Sequence, residues 1–264
     1  MTESVEVLCV TMHQHDFRKY KEMNLSTDAV FANQADRTGY EETIMDGHTA
    51  KMVTTATRGV GRNRNIALLY ASGDILLFAD DDICYKNDYA QQVQRAYEKH
   101  PDADMIVFSM EYTKNGKVFR SIRNHDRRLG LKGGLKNGTC VYSVRRTSLE
   151  KANIWFSVLF GGGTQFAHGE DTVFFMEARR KMRIYGSSYS LGYCAKDMST
   201  CFFGYNERYF YDQGVLYAAA FGIFAYPMAI QFCIRKRKTY QHEIDIRKAL
   251  AEMKKGIAHY GGRK

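Results

Sequence analysis

The stretch that decides the fold is Ile75-Leu76-Leu77-Phe78-Ala79-Asp80-Asp81-Asp82, in which five apolar residues are followed by three aspartates. A continuous apolar run of this length predicts a strand that is buried on both faces, as in a parallel sheet. Parallel sheets bind ligands at the carboxyl ends of their strands. The aspartates stand at such an end, which makes them candidate site residues. An acidic surface turn is the alternative interpretation.

Strands and helices alternate on both sides of this run, which predicts an α/β fold with a mainly parallel sheet. After residue 110 the pattern changes, and the segment 117–136, rich in Arg, Lys and Gly, is predicted to be a loop. The predicted strands are 5–11, 29–33, 51–55, 75–79, 105–110 and 139–144. The predicted helices are 59–71, 88–99, 171–182 and most of 206–256.

The length suits one large single-core domain or a domain with a C-terminal appendage, and the composition fits a folded protein. The 264 residues are 45% hydrophobic and 13% aromatic, which excludes a disordered chain. We predict a domain at 1–205 and a helical, basic extension at 206–264. None of the six cysteines forms a CxxC pair or a zinc spacing. Together with a first segment that does not resemble a secretory signal, this predicts a cytoplasmic protein.

The positive charge is concentrated at the C-terminal end. The net charge is +9, but residues 235–264 hold ten Lys/Arg and three acids, so the rest of the chain carries only +2. Just before this segment, Val215–Ile234 is a largely apolar stretch of the length of a membrane span. Pro227 and Gln231 interrupt it, so a helix packed on the core, or one lying on a membrane surface, is as good an interpretation. The segment 215–238 is therefore a candidate contact with the anionic surface at the inner face of the cell membrane.

The aspartate triplet predicts a divalent metal site. Three adjacent carboxylates repel one another, and a hard cation such as Mg²⁺ or Mn²⁺ relieves the repulsion while leaving coordination positions for phosphate oxygens.

Two further motifs could carry chemistry. His168-Gly169-Glu170-Asp171 begins a predicted helix, where acids are ordinary caps but could also supply a general base. The stretch 58–65, Arg-Gly-Val-Gly-Arg-Asn-Arg-Asn, places glycines before a helix and could form an anion site, although it matches no nucleotide-binding fingerprint.

Taken together, the motifs resemble family-2 glycosyltransferases with the GT-A fold, of the bacterial polysaccharide or glycoconjugate type. The resemblance covers about residues 5–200. It implies a Rossmann-like, mainly parallel central sheet with flanking helices, here with a helical C-terminal extension. Its matching pieces are the opening strand, Asn33-Gln34-Ala35-Asp36, GVGRNRNIAL at 59–68, ADDD at 79–82 and GED at 169–171.

The resemblance also implies roles for individual residues. Asp82 matches a metal ligand, and Asp80 matches a contact with the ribose or the metal. Asp171, preceded by Glu170, matches the catalytic base. The implied contacts with the nucleotide sugar are Thr11, Asn33, Asp36, Arg58, Arg64, Asp80 and Asp81. Candidate contacts with the acceptor or with phosphate are Arg120, Arg123 and His168.

The first loop departs from the family pattern. Many members have a Pro-x-Tyr/Phe-Asn element after the first strand, whereas this chain has Met12-His13-Gln14-His15. The contact with the nucleobase at this loop would then fall to Thr11 or Gln14.

The implied activity is an inverting, metal-dependent transfer of a sugar from a nucleotide sugar, with UDP favoured, to a hydroxyl of a glycan or lipid-linked glycan. A sugar nucleotidyltransferase is an alternative, but the expected glycine-rich signature after the first strand is replaced by MHQHD. A non-enzymatic protein that binds polyanions or nucleic acid is a second alternative, suggested only by the charge. No nucleic-acid partner is expected, because the triplet repels phosphate without a metal.

Overall fold

The computed structural model describes residues 2–114, 116–195 and 204–261, with only the backbone of Lys132. A single sheet runs through these residues. The strand order is β3-β4-β2-β1-β5-β9-β7-β10-β6, and β8 pairs with β7. The strands are β1 Val5–Met12, β2 Asp28–Gln34, β3 Gly39–Met45, β4 His48–Thr55, β5 Ile75–Asp80, β6 Ile83–Tyr85, β7 Met105–Lys114, β8 Lys117–Ile122, β9 Tyr142–Arg145 and β10 Ile184–Ala195.

The predicted α/β fold is confirmed. The block β4-β2-β1-β5 is parallel, and β5 lies at its inner edge beside β1, with Val10 paired with Asp80. All five residues of Ile75–Ala79 are buried, as the apolar run predicts. Because β1 and β5 are parallel and in register, Thr11 and the aspartates emerge at the same edge of the sheet.

The other half of the sheet is mixed. The strand β9 runs antiparallel to both β5 and β7, while β10 pairs parallel with β7 and antiparallel with β6. The last of these pairings joins Ile83 to Cys194, so a strand end from the C-terminal half lies beside the triplet.

The segment 117–136 was predicted to be a loop, and this is corrected in part, because it contains β8 and a short helix at Leu131–Gly134. Most of β8 is exposed, so its sequence lacks the apolar alternation of a half-buried strand. The strand β3 was missed for the same reason. The strand predicted at 139–144 begins only at Tyr142, after a turn of 3₁₀ helix.

Two asparagines anchor the helix that follows β4. The amide of Asn63 donates to the backbone oxygen of Ala32 (2.7 Å), and Asn65 forms a pair of hydrogen bonds with the backbone of Phe156 (2.8 and 2.9 Å). The helices are α1 Arg18–Glu22, α2 Val60–Tyr70, α3 Tyr89–Lys99, α4 Leu131–Gly134, α5 Arg146–Ala152, α6 Glu170–Lys181, α7 Glu207–Phe221, α8 Ala225–Tyr240 and α9 Ile246–Gly261.

The last three helices form a bundle with its own apolar cluster. The helices α7 and α9 cross closely at two glycines, since a Cβ on Gly214 or Gly256 would lie 2.1 Å from a backbone oxygen of the facing helix. The cluster also includes Phe160 and Phe166, which come before residue 205. The domain boundary at that residue stays a prediction, and the neighbouring residues 196–203 lie outside the described part of the chain.

Candidate active site

The three aspartates lie where β5 ends. Asp80 is the last residue of the strand, and the next two form the turn into β6. The hydroxyl of Thr11, at the end of β1, donates to the carboxylate of Asp81. The backbone oxygen of Asp82 accepts a hydrogen bond from the N–H of Ala195 (3.0 Å). The neighbouring strands thus hold each side of the turn.

Arg64 connects the triplet to α6. One guanidinium nitrogen donates to Asp80 (2.9 Å) and another to Glu170 (2.8 Å), and only 6% of the Arg64 side chain is exposed. Its guanidinium also lies over the ring of Phe156, 5.4 Å from the centroid. A planar, forked cation suits two carboxylates that come from different elements.

The electrostatics of this link favour a charged Arg64. Burial by itself lowers the pKa of Arg64, but the adjacent carboxylates of Asp80 and Glu170 outweigh burial and hold the pKa above its ordinary value. The resemblance assigned Arg64 to nucleotide contact. The structure places it against protein carboxylates, so its immediate role is to fix the positions of Asp80 and Glu170.

Asp171 lies at the start of α6, next to Glu170. Its Oδ1 accepts a hydrogen bond from the N–H of Thr172 (2.7 Å), and its Oδ2 faces Gly138, where an added Cβ would lie 3.8 Å away. Burial raises the pKa of Asp171 to about 6, and the negative charge of Glu170 adds to the shift. A carboxylate of this pKa is a stronger base than an ordinary aspartate and is still ionised at neutral pH.

The carboxylates share one electrostatic environment. Burial raises the pKa of Cys140 to about 12, and Asp80 and Asp82 both add to that rise. Asp80 likewise contributes to the raised pKa of Asp171. The triplet and the acids of α6 therefore face the same region, in which Arg64 is the buried cation that bonds to them.

The glycine motif has a packing role. The first N–H of α2, on Val60, donates to the backbone oxygen of Gly162 (3.0 Å), and a Cβ on Gly61 would lie 2.2 Å from the oxygen of Ser157. The loop that contains Gly162 thus covers the start of α2. An anion site would require this helix start to be open. The glycines serve to bring the 157–163 segment against α2.

Three of the predicted nucleotide contacts lie at the ends of β2 and β4. The buried Asn33 uses its amide to hold Gln14, through bonds of 3.0 Å in both directions, and to bind Thr54 (3.1 Å). It therefore shapes the first loop. The carboxylate of Asp36 is 87% exposed and pairs with Arg58. Their contact with a nucleotide stays a prediction.

The candidate acceptor or phosphate contacts divide into two groups. His168 lies beside the site but bonds to Gln213 of α7 (2.8 Å) and stacks on Tyr209. Arg120, on β8, lies over the ring of Tyr112, whose hydroxyl contacts Cys140 near the triplet. Arg123 is exposed beyond the end of β8. Contact of these side chains with a ligand stays a prediction.

Sequence reasoning missed Phe156 and Gln213, which orient Arg64 and His168. Nothing local in the sequence marks either residue, because each acts across the fold on a side chain that is distant along the chain. The pairing of Arg64 with Glu170 was also missed, although the two motifs that contain these residues were both identified.

The donor set suits a metal ion that is shared with a ligand. In the described residues, no group of three or more His, Cys, Asp or Glu side chains is arranged to hold a metal ion by itself. Mg²⁺ is commonly held by one or two carboxylates together with substrate phosphates, and Asp82 and Asp80 provide such a pair. The chemistry of these side chains therefore fits a cation that arrives with a diphosphate.

Sequence comparison assigns the central part of the chain to a known protein family. The model of the family described as "Glycosyl transferase family 2" matches residues 33–169, just over half of the chain. This range includes the triplet, the α2 motif and the start of the α6 motif. A search of curated proteins gave no significant match.

Structural comparison gives the same fold. A crystal structure of residues 1–349 of S. aureus TarS in complex with UDP-GlcNAc is similar over 96% of this chain and 81% of that chain, with a TM-score of 0.64 and 16% identity. The complex of the same fragment with UDP has a TM-score of 0.62 at 16% identity and the same coverage. The structure of S. aureus TarS gives 0.63 at 15% identity, over 96% of this chain and 49% of that chain.

Replacement of Arg64 should destabilise the fold. In Arg64→Met, Asp80 and Glu170 lose their buried cation, and we expect a loss of about 3–5 kcal/mol in the free energy of unfolding, measured in urea at pH 7. Arg64→Lys keeps the charge but not the fork, and should lose less. Arg62→Met, on the same helix but exposed, is the control and should change the value by less than about 0.5 kcal/mol. Equal effects at the two positions would contradict the bridging role.

The ionised form of Asp171 should cost stability. The pKa of Asp171 is raised in the folded state. Its protonated carboxyl therefore contributes fully to the stability of the fold below the unfolded pKa near 3.8, and this contribution is lost as the pH rises through about 6. Asp171→Asn should therefore raise the free energy of unfolding at pH 7.5 by about 3 kcal/mol and leave it nearly unchanged at pH 4. A thermal denaturation series over this pH range measures the difference. A gain that is equal at both pH values would show that it does not come from ionisation.

Proposed function

The chain belongs to glycosyl transferase family 2, and from this premise we propose that it transfers a sugar from a UDP-sugar to a hydroxyl group of a glycan or lipid-linked glycan, with inversion at the anomeric carbon. The observation that carries the proposal is the bridge from Asp80 through Arg64 to Glu170. It brings the carboxylates suited to a metal and nucleotide within range of Asp171, a carboxylate suited to act as a base.

In the proposed reaction, the acceptor oxygen attacks the anomeric carbon as the bond to the diphosphate breaks. The hydroxyl proton passes to Asp171, which its pKa of about 6 leaves ionised at neutral pH. Glu170 is held by Arg64 and positions the start of α6. Asp171 is the base in this scheme and no carboxylate is assigned as a nucleophile, so a single displacement inverts the configuration.

A divalent cation, Mn²⁺ or Mg²⁺, would be held by Asp82 and Asp80. When bound, it supplies positive charge that stabilises the leaving diphosphate. The protein side chains contribute alignment: Thr11 holds Asp81, and Arg64 holds Asp80. Arg120 is the proposed additional phosphate contact, because it lies over the ring of Tyr112, whose hydroxyl contacts Cys140 near the triplet.

The choice of UDP is supported by the fold comparison. S. aureus TarS, whose fold this chain shares, has structures with UDP-GlcNAc and with UDP. The two alternatives, a sugar nucleotidyltransferase and a polyanion-binding protein, have no such support. The proposed location is the cytoplasm, as the cysteine usage predicts.

Transfer should depend on Asp171. With a panel of UDP-sugars and glycan acceptors, Asp171→Asn should lower kcat by about 10²–10⁴-fold, because the acceptor proton loses its base. Binding of UDP, measured by calorimetry, should stay within about twofold. Glu177→Gln, at a half-buried position on the same helix that pairs with Lys181, is the matched control and should keep wild-type turnover. The anomeric configuration of the product, read by NMR, should be opposite to that of the donor. Wild-type turnover in Asp171→Asn, or retention in the product, would refute the mechanism.

A further inference from the structure

The C-terminal bundle has an apolar outer face. Between α7 and α8 the chain turns at Gly222, whose φ is +56°, and leaves Ile223 and Phe224 at the corner with 89% and 64% of their surface exposed. Along α8, Ile234 is 65% exposed. We call these residues, together with Tyr226 and Ile230, the apolar ridge. Contiguous exposed apolar surface of this kind marks an interaction site.

Within the described residues, the ridge is the uncovered face of α8. On the opposite face, Ala225, Ala229, Phe232 and Cys233 are buried in the bundle cluster. Ile230 and Ile234 are one turn apart on the outer side, so the ridge follows the helix axis. The helix is therefore anchored to the protein along one side and presents apolar groups along the other.

A basic cluster continues the ridge. Arg235-Lys236-Arg237-Lys238 are all exposed, and none of them forms an ion pair with the part of the chain that the structure describes. Lys238 follows Ile234 by one turn on the same side of α8. Apolar groups at one end of a helix face and unpaired cations at the other match the acyl chains and anionic headgroups of a membrane surface.

A transmembrane arrangement fits the contacts less well. By length and composition alone, the helical stretch Glu207–Tyr240 could cross a membrane. However, its first half is tied to the α/β domain: Gln213 bonds to His168 (2.8 Å), and Arg180 of α6 donates to the backbone oxygen of Ala220 (3.2 Å). The carboxyl group of Asp212 is buried in the same region. Insertion of α7 would break these contacts, whereas α8 needs no rearrangement to lie on a surface.

We propose that the apolar ridge and the basic cluster bind the protein to the surface of an anionic bilayer, with Ile223 and Phe224 inserted among the acyl chains and 235–238 at the headgroups. The corner lies ten residues beyond Gln213, which contacts His168 beside the candidate site, or roughly 15 Å along α7. The bilayer would therefore lie close enough for a membrane-borne hydroxyl to reach the site. The binding itself does not depend on the proposed glycosyl transfer.

The test is flotation of the full chain with vesicles of phosphatidylcholine alone or with 30% phosphatidylglycerol. The wild-type protein should float with the anionic vesicles at low salt, and much less with neutral vesicles or in 1 M salt. Replacement of Arg235–Lys238 by Gln should weaken partition by at least about tenfold, since each basic residue near an anionic surface contributes about fivefold. The charge-matched control replaces exposed cations elsewhere by Gln: Lys21, Arg95, Lys151 and Arg179.

The apolar part has its own matched pair of variants. Ile234→Asp should abolish flotation, while Ile44→Asp, at a residue of equal exposure (66%) on β3, should leave it intact. Circular dichroism confirms that each variant is folded. If the wild-type protein does not float, or if both aspartate variants float equally, the proposal is wrong. A wild-type dimer that Ile234→Asp converts to a monomer, without flotation of either, would instead assign the ridge to a second copy of this chain.

Discussion

The site depends on the two hydrogen bonds of Arg64, one to Asp80 and one to Glu170. Together they join the end of the central strand β5 to the start of α6, two elements that are about ninety residues apart in sequence. A buried guanidinium without these carboxylates would be costly, and each carboxylate without it would repel the acids beside it. The three groups therefore require one another, and the geometry of the site follows from that requirement.

The remaining polar contacts act on the same set of elements. Asn63 bonds α2 to β2, and Asn65 bonds α2 to the segment that contains Phe156. Thr11, at the end of β1, donates a hydrogen bond to Asp81. As a result, the carboxylates converge on one region in which negative charge exceeds positive. Such a region favours a cation. Burial raises the pKa of Asp171, and the negative charge of Glu170 adds to the shift. The excess of buried carboxylates thus supports both the proposed metal ion and the proposed base.

The sequence was most informative where burial imposes a pattern. The short apolar run Ile75–Ala79 predicted a strand buried on both faces with the aspartates at its end, and the structure has that strand. Exposed elements carry no such pattern, which is why β3 and β8 were missed. The link from Arg64 to Glu170 joins two motifs that were identified separately, and only the folded chain shows that they meet. Similarly, the apolar stretch at 215–234 did not reveal the turn at Gly222.

The central claim is that the triplet, with the acids of α6 facing it, forms a site for a nucleoside diphosphate and a divalent cation. Thermal denaturation with UDP, with and without Mn²⁺, tests it most directly. UDP with Mn²⁺ should raise the Tm of the wild-type protein by about 5 °C or more at saturation. EDTA or Asp82→Ala should remove the increase. No increase with UDP or any other nucleoside diphosphate, or an unchanged increase in the presence of EDTA, would contradict the presence of such a site.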